Sequence, residues 1–300
     1  MLSARQRGTG NLDLSVCIVN WNTREDLARC LTSLVGRSWD IEYEVWVVDN
    51  ASQDSSGDLV RTRFPTVNLV VNAENRGFAA ANNQAIQQSQ GRYILLLNPD
   101  TIVHEGALNQ LVWFLDTHPA VGIAGLKLLN PDGSLQYSCR TFPTWGAVLF
   151  RGTLLGRLFP HNRFTREYLM QDWPHNEVRR VDWVSGAGLA VRRKMLAQIG
   201  LLDERFFMYC EDMDLCRRAW DAGWEVVYFP EAVVTHFIGR SSDQNLGPMI
   251  VEFHRSMYRY VGKHLAPRYG PAVKVLAGVW LTLRAVSILA GSLKRRARPL

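Results

Sequence analysis

Five consecutive apolar residues, Tyr93 to Leu97, stand between Gly91-Arg92 and Asn98-Pro99-Asp100. A short apolar run without alternation reads as a strand buried on both faces, which puts it in the middle of a largely parallel sheet. Pro99 has no N–H and disfavours helical backbone at Asn98, so the ladder is expected to stop there. Asp100 then lies just past the carboxyl end of a central strand, where open α/β sheets place their ligands. A carboxylate there suits a divalent cation that carries phosphates. The alternative is an Asn-Pro-Asp turn whose aspartate caps the next segment.

The flanking sequence repeats the pattern. Leu14–Trp21 is a β-branched-rich run, and after Asn22-Thr23, an expected N-cap pair, Leu27, Leu31 and Leu34 recur at helical spacing. Tyr43–Val48 is a second strand with Asp49 and Asn50 at its end. A short helix over 59–63, a third strand at Val67–Asn72 and an Ala/Gln-rich helix after Asn75-Arg76-Gly77 lead back to Tyr93–Leu97. This alternation predicts a right-handed α/β half. No G-x-G-x-x-G follows the first strand, which excludes a dinucleotide-binding fold. Further on, 138–180 shows no period and mixes aromatics with arginines, as irregular functional segments do. Val181–Gly200 reads as strand, glycine turn, strand and helix. An acidic segment opens a helix at Glu211-Asp212-Asp214, and 224–237 reads as two short strands ending at His236.

With 47% hydrophobic and 21% charged residues the chain is an ordinary globular protein. Five cysteines without a C-x-x-C pair argue for free thiols in a reducing compartment. No apolar stretch near the amino terminus is long enough for a signal peptide. The net charge of +6 is local: residues 272–300 hold six basic and no acidic residues, leaving the body neutral. That distribution excludes the broad basic face of a nucleic-acid binder.

In order and in detail, SVCIVNWN, VWVVDNAS, NRGFAAANN, LLLNPDT, VSGAGLAVRR, FFMYCEDMDLCRRAWDAGW and VVTHFIGRSS resemble the inverting family-2 glycosyltransferases of the GT-A fold. Within that family the chain looks most like bacterial rhamnosyltransferase-type enzymes of cell-wall or surface polysaccharide synthesis. The resemblance implies a Rossmann-like, mixed but mostly parallel sheet flanked by helices. It divides the chain into a short amino-terminal stretch (1–12), a transferase domain (13–240) and a carboxyl-terminal helical segment (241–300). It further implies that Asp49 accepts N3–H of a uracil or thymine ring, selecting a UDP- or dTDP-sugar donor. Asp100 would coordinate Mg²⁺ or Mn²⁺ on the diphosphate, with His236 completing the metal site. Here Asn98 replaces the first carboxylate of the family's Asp-x-Asp motif, removing one charge. Asp212, beside Glu211, would be the base that takes the acceptor hydroxyl's proton. Three carboxylates in four residues raise one another's pKa, or cap the helix they open. Asn50, Asn75, Arg76, Gly77, Asn98 and Arg240 are implied donor contacts. Trp183, Ser185, Gly186 and Ala187 would line the donor or acceptor pocket.

Val275–Leu293 is an apolar stretch interrupted by Arg284 and followed by a basic flank. Val275, Val279, Leu283 and Val286 share one helical face, so 272–300 is expected to lie in an anionic leaflet. A spanning helix and a helix packed on a partner subunit are the alternatives. The expected enzyme is a metal-dependent inverting transferase, with dTDP-rhamnose as donor and a polyprenyl-linked glycan as acceptor, on the cytoplasmic face of the membrane. A non-catalytic sugar-nucleotide-binding scaffold is the competing class.

Overall fold

The computed structural model describes residues 12–296 except 152, 238 and 240–245; side chains beyond Ala290 and that of Leu154 are also outside the description. Arg240 and the end of the KRRAR run therefore lie outside the described residues.

The strands are β1 (Leu14–Asn20), β2 (Tyr43–Asp49), β3 (Asn68–Val71), β4 (Tyr93–Leu97), β5 (Thr101–Val103), β6 (Val121–Leu129), β7 (Leu135–Gln136), β8 (Cys139–Arg140), β9 (Arg179–Arg180), β10 (Trp183–Val184), β11 (Gly188–Arg192) and β12 (Glu225–His236). The helices are α1 (Arg24–Val35), α2 (Ser56–Arg63), α3 (Phe78–Gln88), α4 (Ala107–Thr117), α5 (Trp145–Phe150), α6 (Leu154–Leu158), α7 (Arg163–Tyr168), α8 (Arg193–Ile199), α9 (Glu211–Asp221), α10 (Leu246–Tyr260), α11 (Ala266–Tyr269) and α12 (Pro271–Arg296), with a π-helical turn at Val261–Leu265. The main sheet runs β3-β2-β1-β4-β11-β6-β12-β5. Its first four strands are parallel, whereas β11 opposes both β4 and β6.

The expected strand at Tyr93–Leu97 is present and wholly buried. Its neighbours β1 and β11 cover both edges, so a continuous apolar run is what the position requires. Two apolar clusters fill the two faces. One gathers α1, α2 and α4 around Leu14, Ile18, Leu95 and Phe229; the other gathers α3, α8 and α9 around Cys17, Ile94, Leu96 and Tyr228. All five cysteines are free and buried.

Several expectations need correction. The β4 ladder ends at Leu97, as expected, but past Asn98-Pro99-Asp100 the chain adds an unforeseen strand, β5, which pairs antiparallel with the end of β12. The two short strands expected at 224–237 are one strand, interrupted by register shifts against β6. Thr23 makes no capping bond to α1; its hydroxyl donates to Asn20 Oδ1 instead, 2.7 Å away. The aperiodic segment 138–180 contains α5, α6 and α7, each with a Thr or Asn side chain at its N-cap.

Helix α12 is not uniformly apolar in its surroundings. Ala277 and Leu281 are buried against Val261 and Met257, while Val275, Leu276, Val279, Leu283 and Val286 stand 58–66% exposed. Residues Pro271–Ala290 are long and apolar enough to cross a membrane by length and composition.

Candidate active site

The carboxyl ends of β1, β2, β4 and β12 meet the start of α9 along one edge of the sheet. Asp49 ends β2, and Asn20 Nδ2 donates to its Oδ1 across 3.3 Å. Gly57 lies so close that a Cβ there would stand 3.1 Å from Asp49 Oδ2. Asn50 binds inward rather than toward a ligand: its Nδ2 donates to Asn75 Oδ1, and its Oδ1 accepts from Asn72 Nδ2 and the Arg76 backbone N–H. It therefore shapes the 72–77 loop. Gly77 sits at φ +82°, and any Cβ would be 2.5 Å from the carbonyl oxygen of Phe207. Only glycine fits there. Arg76 is exposed beside this loop.

Asp100 and His236 come together through the β5–β12 pairing, with His236 Nε2 3.3 Å from Asp100 Oδ1 and 3.3 Å from Asn98 Nδ2. Gln136, which no motif pointed to, fixes the ring. Its Nε2 donates to Asn130 Oδ1 and to the His236 carbonyl, so its Oε1 faces His236 Nδ1 at 2.7 Å. An amide oxygen only accepts, so Nδ1 carries a proton and Nε2 is the ring nitrogen turned toward Asp100. This is the orientation that a carbonyl partner imposes on a metal-ligating histidine. Among the described residues no group of three His, Cys, Asp or Glu could hold a metal. Asp100 and His236 could supply two ligands to a cation that took its remaining oxygens from substrate phosphates, while Asn98 turns its amide nitrogen to His236.

Helix α9 opens on two consecutive residues in the left-handed region, Tyr209 (φ 68°) and Cys210 (φ 67°). Such backbone persists only where surrounding structure holds it. It sets Asp212 facing the Gly186 loop: Gly186 N–H donates to Oδ2 (3.0 Å) and Met213 N–H to Oδ1 (2.7 Å). Burial raises the Asp212 pKa, against those two N–H groups and the Arg140 guanidinium. Glu211 is raised well above the carboxylate range by burial and by the Asp212 charge, and its Oε2 has no partner. Of the pair, Asp212 has the two N–H donors that stabilise a carboxylate, and Glu211 Oε2 has none.

Asp214 does not belong with them. It is fully buried and bonds Arg218 Nε (2.8 Å), Lys263 Nζ (2.6 Å) and His264 Nε2 (2.6 Å). Burial alone would raise its pKa, but the His264 bond and the Arg218 and Lys263 charges override that and hold it low. The Asp214 charge adds to the repulsion that raises Glu211, but Asp214 itself is held low.

A cavity of about 560 Å³ opens in front of Asp212 and Glu211. Asn98 and His236 border it on the sheet side, with Trp183, Ser185, Gly186 and Ala187 along one wall. Trp183 donates to the Thr141 carbonyl and carries the Arg140 guanidinium 4.8 Å from its ring centre, so one of its faces is already covered. Asp49, Asp100 and the 75–77 loop lie outside this cavity's lining.

A mostly parallel sheet with one reversed strand at its centre and acidic residues along one edge has the architecture of a glycosyltransferase of the GT-A class. The chain belongs to the family described as Glycosyltransferase like family 2, which matches residues 11–250. A relative from Mycobacterium tuberculosis, N-acetylglucosaminyl-diphospho-decaprenol L-rhamnosyltransferase, is 32% identical over 95% of both chains. Rhamnosyltransferase WbbL of Escherichia coli is 26% identical over 62% of this chain and 70% of its own. Among solved structures, GalNAc-T7 with UDP, GalNAc and Mn²⁺ superposes with a TM-score of 0.61 at 16% identity, covering 92% of this chain and 55% of that one. The mannosyltransferase PcManGT of Pyrobaculum calidifontis with GDP-Man and Mn²⁺ gives 0.56 at 17%, covering 97% and 77%. At these identities the likeness establishes the fold. The protein is a glycosyltransferase.

Proposed function

We propose that the chain transfers L-rhamnose, with inversion, from dTDP-rhamnose to a hydroxyl of a lipid-linked glycan. The observation that carries this reading is the Asp212 carboxylate, held by two backbone N–H groups at the mouth of a cavity that Asn98 and His236 also border. Inversion in one in-line displacement needs a base on the acceptor hydroxyl as the sugar–phosphate bond breaks. Asp212 takes that proton; the backbone bonds fix its direction, and its raised pKa makes it a better acceptor than an ordinary aspartate. Glu211, protonated beside it, keeps a second negative charge away from the nucleophile. The name of the relative in M. tuberculosis, which matches the chain over nearly its whole length, supports the choice of sugar and lipid carrier.

Asp49 reads the base, since its carboxylate accepts from the N3–H that uracil and thymine carry and cytosine lacks. Gly77, shaped by Asn50 and Asn75, brings backbone close to the donor diphosphate, with Arg76 beside it. A divalent cation held by Asp100 and His236 would neutralise charge on the departing diphosphate.

Thermal unfolding against a nucleotide panel tests the donor side, because a ligand bound only by the native state raises the melting temperature. dTDP and UDP are expected to stabilise and CDP and GDP not, with EDTA weakening the effect and Asp49→Ala abolishing it. Equal shifts with all four nucleotides would remove Asp49 from base reading.

We further propose that the exposed face of α12 rests on an anionic membrane surface. Flotation with vesicles containing anionic lipid should carry the wild-type chain and leave Val279→Asp/Leu283→Asp behind. Because both residues are exposed, unfolding stability should change by no more than about 0.5 kcal/mol per site. Equal flotation of both proteins would refute the assignment.

A further inference from the structure

Away from the sheet edge the cavity in front of Asp212 changes character. Its far wall is built from Phe253 and Met257 of α10 and Trp280 and Leu281 of α12, and three guanidinium groups line it: Arg140, Arg151 and Arg284. Their nearest partners are neutral. Arg140 donates to the Tyr137 carbonyl and lies over Trp183, and its buried Nε has no partner. Arg151 is exposed over the ring of Tyr168. Arg284 donates to His254 Nε2 at 2.9 Å and lies over Phe253. His254 Nδ1 is 2.6 Å from the Ile250 carbonyl, so that nitrogen carries the ring proton and Nε2 is the acceptor. The histidine thus aims the guanidinium without neutralising it. Burial lowers the pKa of both Arg140 and Arg284, and the Arg151 charge pushes each in the same direction, as neighbouring like charges do. Tyr168, Asp212 and Cys139 act on Arg140 in the opposite direction, and of these Asp212 is the carboxylate.

Three guanidinium groups brought together without a carboxylate of their own are costly unless an anion joins them. Guanidinium forks match phosphate oxygens, and three of them suit a diphosphate better than a single carboxylate. The indole and aliphatic wall on the α12 side would be poorly used by a free inorganic anion, but it matches the first carbons of an apolar chain.

We propose that Arg140, Arg151 and Arg284 bind the diphosphate of a prenyl-diphosphate-linked acceptor, and that Trp280 and Leu281 cover the start of its prenyl chain. This rests on the lipid-linked acceptor reading above and assigns it to residues. The acceptor's first sugar then lies between the arginines and Asp212, with its hydroxyl at the base. Arg284, the residue that interrupts the apolar stretch of the sequence, acquires a role: it faces the cavity while the opposite face of α12 carries the apolar stripe.

Farnesyl diphosphate is the probe, titrated calorimetrically into the full chain, alone and with saturating dTDP. Wild type is expected to bind it at least 10-fold more tightly than farnesyl monophosphate, with affinity unchanged by dTDP. Arg284→Gln and Arg151→Glu should each weaken binding 10-fold or more and leave dTDP binding within about 2-fold. Arg151 is exposed, so its variant keeps the test decisive should Arg284→Gln loosen α12. Competition between farnesyl diphosphate and dTDP would overturn the proposal by giving the arginines to the donor. Undetectable binding by wild type, or unchanged binding by both variants, would overturn it as well. Failure of the transferase reading looks different: dTDP and UDP would not bind, whatever farnesyl diphosphate does.

Discussion

Asp212→Asn should cut turnover about 10²–10⁴-fold, the usual contribution of a general base, while nucleotide affinity stays close to wild type. The substitution keeps shape and one carbonyl oxygen, so the Gly186 or Met213 N–H retains a partner. What disappears is the ability to take a proton. Glu211→Gln is the comparison that gives this result meaning. An amide copies a protonated acid, so it should lose far less than Asp212→Asn. The pH profile carries the same information. Burial raises both carboxyls, so the acid limb of kcat/KM should lie above the ordinary aspartate value of about 3.9. Activity then falls as pH drops through the titration of the pair. Wild-type turnover by Asp212→Asn, measured with any accepted donor, would reject the base assignment.

The second large effect is on stability. Asp214→Ala should cost about 3–5 kcal/mol in urea unfolding, the range for removing one member of a buried ion pair. The carboxylate is fully buried, and its deletion leaves Arg218, Lys263 and His264 without the acceptor they share. Lys263 keeps Asp203, 2.6 Å away, which moderates the loss without restoring the other two partners. The sign of the pH dependence follows from the folded state. Asp214 is held below its unfolded value, so its contribution is present above about pH 4 and fades as pH falls through the folded pKa. The gap between wild type and Asp214→Ala should therefore narrow in acid. A difference under about 1 kcal/mol at neutral pH would mean that the cluster is solvated and the carboxyl-terminal helices are held by apolar packing alone.

The residues differ in how much of this could be read from the chain alone. Asp49, Asp100 and His236 were legible because each follows an apolar run whose length fixes it as a strand. The start of α9 was legible because acidic residues precede a strong amphipathic period. What joins these points was not. Asp100 meets His236 only because three residues after Pro99 pair with the end of β12, and a three-residue strand is too short to show a period. Arg218, one partner of Asp214, is four residues on in the same helix, but Lys263 and His264 lie some 50 positions along the chain, so most of what separates Asp214 from Glu211 and Asp212 has no local signature. Gln136 and Arg140 sit in or beside two-residue strands, where no pattern distinguishes a site residue from a loop residue. The aromatic and arginine content of 138–180 was the available clue; Arg140, Arg151 and Tyr168 of that segment line the cavity, and the clue named none of them.

Strand β11 runs against both of its neighbours, and its direction decides the polarity of the site. The strand edge where β1, β2, β4 and β12 finish is built from C-terminal ends, which turn carbonyl oxygens outward. An acidic centre placed there would face acceptors on every side. Because β11 begins at that edge instead of ending there, the turn leading into it brings a peptide N–H, that of Gly186, to the Asp212 carboxylate. One reversed strand thus converts part of a negative rim into a donor surface. A sheet of the same order with β11 parallel would need an added cation or side-chain amide to hold that carboxylate in place.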